Sequence, residues 1–98
     1  MIALSRNGIT IRLPDERWKH ILERHSILAG KQQFVLDTLS KPDRILIGNE
    51  GALMALRRLE PNRWLIVVYR EENKDGFVIT AFPTRRINSL NRRQQLWP

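Results

Sequence analysis

Gly76-Phe77-Val78-Ile79-Thr80-Ala81-Phe82-Pro83-Thr84-Arg85-Arg86 begins as an apolar strand and leaves through two adjacent arginines. Residues 77–82 have the length and the branched, aromatic make-up of a buried strand. One hydroxyl, Thr80, sits at its centre and a second, Thr84, follows. A hydroxyl inside a buried strand needs a hydrogen-bond partner. Thr80 therefore reads either as a β-former in a sheet or as a group aimed at a substrate.

Upstream, three more strands are predicted at 44–47, 52–59 and 63–70. Tight turns at Gly48-Asn49-Glu50-Gly51, Glu60-Pro61-Asn62 and Glu72-Asn73-Lys74-Asp75-Gly76 separate the four strands. Three short turns in succession predict an antiparallel meander.

The first half of the chain is helical in texture. Residues 8–13 alternate Ile9, Ile11 and Leu13 with Thr10 and Arg12, a short strand. Pro14 suits a first helical position, and Asp15 and Glu16 suit a helix N-terminus. Trp18, Ile21, Leu22 and His25 then fall at i, i+3, i+4 and i+7 on one face. Gly30 is a stop after that helix. A second helix over 32–39 carries Phe34, Val35 and Leu39, and Pro42 ends it.

The expectation is one α+β domain over residues 1–98, with two N-terminal helices packed on one face of a four-stranded antiparallel meander sheet. Its core spans about 8–87. Residues 88–98 form a basic C-terminal tail, read either as a short helix or as mobile. The second sheet face is expected to stay partly open, a natural seat for a strand of RNA.

Composition narrows the partners. The 98 residues are 42% hydrophobic, which fits a folded domain rather than a disordered chain. There is no cysteine, so disulfides and thiolate metal sites are excluded. The net charge is +7, with thirteen arginines against four lysines. Guanidinium forks match phosphate oxygens and stack on bases, which points to a polyanion such as nucleic acid. A basic surface without such a partner, or one that meets an acidic protein, fits the charge equally. No apolar run reaches the length of a membrane span or of a signal peptide, so a cytoplasmic protein with no membrane association is expected.

Chemistry has few candidates. His25 lies on the apolar stripe, where it serves either as a core-edge imidazole or as an acid/base group. His20 falls on the polar face, four residues before Arg24. The two histidines are not the i, i+4 pair of a zinc protease, and no acid cluster completes a ligand set, so no metal and no cofactor are expected. No cysteine nucleophile, Gly-x-Ser-x-Gly elbow or glycine-rich phosphate loop is present. RNA carries its own nucleophile, the 2′-hydroxyl. Its cleavage needs a base, an acid and donors that stabilise the pentacoordinate phosphate. Strand alternation places Leu53, Ala55, Arg57 and Leu59 on one face, Leu65, Val67 and Tyr69 on another strand's face, and Val78, Thr80 and Phe82 on the last. Tyr69 reads either as a packed ring or as a site group. Arg85 and Arg86 leave the last strand in opposite directions, as a solvated exit or with one facing a cleft.

Trp18-x-His20-Ile21-x-x-Arg24-His25, Leu39-x-x-Pro42-Asp43-x-Ile45, Arg57, Val67-Val68-Tyr69 and Gly76-Phe77-Val78-Ile79-Thr80-Ala81-Phe82-x-Thr84 together resemble the barnase–EndoU–colicin–RelE-like (BECR) nucleases, especially the small stand-alone phage and bacterial forms. The resemblance runs over nearly the whole chain. It implies two helices on an antiparallel sheet and metal-independent cleavage of tRNA or mRNA, often as a toxin restrained by an acidic antitoxin. By this resemblance His25 is the acid/base group, Arg57 stabilises the phosphate, and Thr80 donates to it or positions substrate. Tyr69 joins the catalytic set. His20, Arg24, Thr84, Arg85 and Arg86 grip the RNA. The family's helix end often reads Arg-His-Pro followed by an acid, where this chain has Arg24-His25-Ser26-Ile27. A non-catalytic RNA- or DNA-binding module, or an adaptor for an acidic protein, is the alternative.

Overall fold

The computed structural model describes all residues, Met1–Pro98. The chain is α+β, with seven strands in one sheet. In chain order the elements are β1 (Ile2–Leu4), β2 (Thr10–Arg12), α1 (Asp15–Arg24), α2 (Gln32–Ser40), β3 (Arg44–Ile47), β4 (Leu53–Glu60), β5 (Arg63–Glu72), β6 (Asp75–Thr84), α3 (Ile87–Leu90) and β7 (Gln95–Trp97). A single 3-10 turn, Ser26–Leu28, joins α1 to α2.

The sheet order is β1-β2-β6-β5-β4-β3-β7. A complete four-stranded, wholly antiparallel sheet under two helices is therefore incorrect. Strands β3 to β6 do form an antiparallel run, but the sheet extends past both of its sides. On one side β2 joins β6 in parallel, with Ile11 opposite Gly76, and β1 adds outside it. On the other side β7 pairs with β3. Strand β2 falls within the alternating run at 8–13, whereas β1 and β7, three residues each, are too short to show periodicity by themselves. Gly76 makes the parallel joint possible. A Cβ there would collide with the Arg70 carbonyl and lie 2.7 Å from Ile11 Cδ1.

Helices α1 and α2 cover one sheet face. Ile21, Leu28, Val35, Leu36 and Leu39 pack there against Ala55, Leu65, Val67, Tyr69, Val78 and Ala81. Fully burying a side chain of the Val, Leu or Ile type contributes about 1.5–3 kcal/mol, so this layer dominates stability. The amphipathic stripe of α1 behaves as its spacing predicts, with Ile21 buried and Trp18 and Leu22 half-buried on the core.

The opposite face is partly covered, by the segment after β6. Ile87 and Leu90 of α3 pack against a smaller cluster of Leu46, Met54, Leu56 and Ile66. The segment after β6 is woven into the sheet. Arg44 donates to Gln95 Oε1 and to Asn91 Oδ1, each at 2.7 Å. Arg6 stacks on Trp97, its guanidinium carbon 4.8 Å from the ring centroid.

A bulge in β6 repartitions the last strand. Val67 pairs with Ala81 and Val68 with Thr80, but Tyr69 pairs with Val78. Ile79 is the extra residue. Simple alternation puts Val78, Thr80 and Phe82 on one face. With the bulge, Val78 joins Tyr69 under the helices, while Thr80 and Phe82 join Val68 and Ile66 on the α3 side.

Candidate functional site

Strand β2 pairs with β6 only over Asp75–Phe77. Beyond Phe77 the outer edge of β6 has no strand beside it, and α1 packs along β6 there instead. A cleft of about 370 Å³ lies between them, lined by Arg17, His20, Arg24, His25, Ile79, Thr80 and Phe82.

Each lining side chain has a local cause. Arg17, His20 and Arg24 are at i, i+3 and i+7 of α1, on the exposed side of that helix. His25 is the C-cap, with φ −138°, and its backbone N–H donates to the Ile21 carbonyl. Leaving the helix turns its half-buried ring toward β6. The ring lies 6.2 Å from the Phe82 ring, centroid to centroid, tilted by 40°. The bulge at Ile79 brings Thr80 and Phe82 to this border.

The cleft is electropositive and unneutralised. The chain has two ion pairs, Arg12 with Asp75 at 2.9 Å and Arg63 with Glu60 at 3.8 Å. Neither includes a cleft residue, so Arg17 and Arg24 keep their N–H groups free of carboxylates. No carboxylate lines the cleft itself.

Of the residues expected at a site, His20, Arg24, His25 and Thr80 come together here. Arg57 does not line the cleft. It lies on the helix-covered face of β4, its guanidinium carbon 5.0 Å from the Phe34 ring centroid. Tyr69 is fully buried in the main core, and its hydroxyl makes no hydrogen bond. Burial, and secondarily the Glu71 carboxylate, push its pKa well above the ordinary tyrosine value. Glu71 itself accepts from the Ser5 hydroxyl and, at 2.9 Å, from Asn7 Nδ2. Thr84 is occupied in the turn after β6, its Oγ1 accepting from the Arg86 backbone N–H at 3.0 Å. Arg85 and Arg86 are exposed and border no cleft.

Arg17, Ile79 and Phe82 complete the cleft and were not singled out as site residues. Arg17 was legible, since the spacing 17, 20, 24 marks a basic stripe as surely as 18, 21, 25 marks an apolar one. Phe82 was not, because its face depends on the bulge. No family model, no curated protein and no solved structure matches this chain.

Proposed function

We propose that this chain is a metal-independent endoribonuclease of the BECR kind, acting as the toxin of a toxin–antitoxin pair. The observation that carries the reading is the cleft of two imidazoles, two carboxylate-free guanidiniums and one hydroxyl. That set matches the needs of RNA transesterification and offers no protein nucleophile stronger than a threonine hydroxyl.

In this mechanism His25 removes the proton from the 2′-hydroxyl. The 2′-oxygen attacks phosphorus, and the bond from phosphorus to the 5′-oxygen breaks. His20, in its protonated form, gives a proton to that leaving oxygen. The products are a 2′,3′-cyclic phosphate and a 5′-hydroxyl. General acid–base steps of this type contribute about 100- to 10,000-fold each. Arg17 and Arg24 hold the phosphate oxygens, and Thr80 donates to the phosphoryl oxygen as charge develops. Phe82 flanks the His25 ring. Arg57 and Tyr69 have no part in these steps.

The unpaired positive charge also suits an acidic antitoxin that covers the cleft. A cytoplasmic location goes with this reading, since both tRNA and mRNA are met there. No helix in the chain is long and apolar enough to cross a membrane. The test is incubation with total RNA in EDTA, beside His25→Ala. Discrete cuts with 2′,3′-cyclic phosphate ends, absent in the variant, support the reading. Intact RNA with well-folded protein removes it. Salt-sensitive RNA binding without cleavage would leave a binding module in its place.

A further inference from the structure

A second depression, of about 410 Å³, opens on the α3 side of the sheet. Ile79, Thr80 and Phe82 line both it and the His25 cleft, so the two share a wall. Its volume falls within the roughly 300–1,000 Å³ of small-molecule sites.

The walls differ in kind from those of the cleft. Met54, Val68 and Phe82 supply an apolar side. The turn between β3 and β4 supplies a polar rim, and that rim is already ordered. Arg70 Nη2 donates to the Glu50 carbonyl at 2.5 Å. Arg93 Nη1 donates to the Ile47 carbonyl at 3.2 Å, and its Nη2 to Asn49 Oδ1 at 3.1 Å. With Oδ1 occupied, the Asn49 amide nitrogen is left as a donor. The Glu50 carboxylate is an acceptor with no cationic partner. The turn is closed by Gly48 N–H to the Ala52 carbonyl at 2.8 Å and Ala52 N–H to the Asn49 carbonyl at 3.0 Å. Glu50 and Gly51 hold it in the left-handed region, at φ 54° and 84°.

A phosphate has no use for an apolar wall. A nucleobase has apolar faces and a polar edge, and this depression presents both surfaces it needs. We infer that the depression binds one base of the RNA, the base attached to the ribose beside the phosphate held in the His25 cleft. The inference rests on the nuclease reading for its ligand. The rim offers donors from Asn49 and Arg93 and an acceptor from Glu50. Base edges differ in their donors and acceptors, so such a rim discriminates among them. The depression is the specificity site of the cut.

The chain has two methionines, Met1 and Met54, so ¹³C-methyl labelling gives a reporter in the depression and a control outside it. The labelled protein is titrated with the four ribonucleoside 3′-monophosphates and with inorganic phosphate. The Met54 methyl is expected to shift with at least one nucleotide more tightly than the others, with Met1 unmoved. Asn49→Ala and Glu50→Gln are expected to reduce that preference about 10-fold. In parallel, cut sites in a random-sequence RNA are expected to show a bias at one position flanking the cut. Either variant flattens the bias.

The inference is overturned if Met54 ignores all four nucleotides, if inorganic phosphate alone reproduces its shift, or if the bias survives both variants. Cleavage without a Met54 response leaves the nuclease reading standing and removes the base site. A base-dependent Met54 shift without cleavage does the reverse.

Discussion

The two faces of one sheet have opposite characters. Under α1 and α2 the face is dry and closed, to the point of sealing the Tyr69 hydroxyl without a hydrogen bond. On the α3 side, four buried residues make a smaller cluster, and half-buried Val68, Thr80 and Phe82 border open depressions. Adjacent residues of the same strand, such as Val67 and Val68, therefore serve different ends. Stability resides on the closed face, and the chemistry proposed here lies at the border where β6 leaves the shelter of β2.

The largest expected effect tests that division from the chemical side. His25→Ala should slow RNA cleavage by about 100- to 10,000-fold with a nearly unchanged melting temperature, because the ring is half-buried and touches Phe82 rather than the main core. A fall in melting temperature as large as that of a core variant would mean that the border is structural.

Neighbouring valines test it from the packing side. Val67→Ala should cost about 2 kcal/mol in denaturant unfolding, since Val67 is fully buried. Val68→Ala should cost under about 1 kcal/mol, being half-buried on the more open face. Equal costs would erase the distinction between the faces.

The basic stripe of α1 sharpens the assignment of the grip. Arg17→Gln and Arg24→Gln should each lower the slope of log affinity against log salt by about 0.7 for single-stranded RNA. Arg85→Gln, outside the cleft, should leave that slope in place.

Tyr69 gives the smallest effect and the clearest contrast with His25. Tyr69→Phe removes a buried hydroxyl that has no partner, so stability should hold or rise by up to about 1 kcal/mol, with cleavage unchanged. The folded pKa is raised, so the contribution of the neutral phenol is fully present below the unfolded value near about 10. Above that pH the unfolded chain releases a proton that the folded chain retains, and stability falls. Tyr69→Phe should lessen that alkaline fall.

The core of the fold was legible because its signals are local. The i, i+3, i+4, i+7 stripe of α1, the proline at 42 and the turns at 48–51, 60–62 and 72–76 each act through neighbouring backbone and side chains. His20, Arg24 and His25 were legible as candidates from the same helix periodicity. The strand at β2 was legible from its alternation, but its parallel partner was not, and β1 and β7 were not legible at all, since these strands gain their hydrogen bonds from partners far along the chain. The grouping of Arg57 and Tyr69 with Thr80 rested on unbroken alternation in β6.

What the amino-acid order determined alone is therefore the short strand at β2, the list of elements from α1 to β6, the net charge of +7 and the two histidines near one helix end. Only the tertiary structure decided that β2 lies parallel to β6, that the last segment closes on β3, and that Thr80 faces away from Tyr69. The first two rest on partners distant in sequence, and the third on the bulge at Ile79. One extra residue in a period of two exchanges the faces on either side of it, and whether a strand takes that residue up is settled by its pairing with β5.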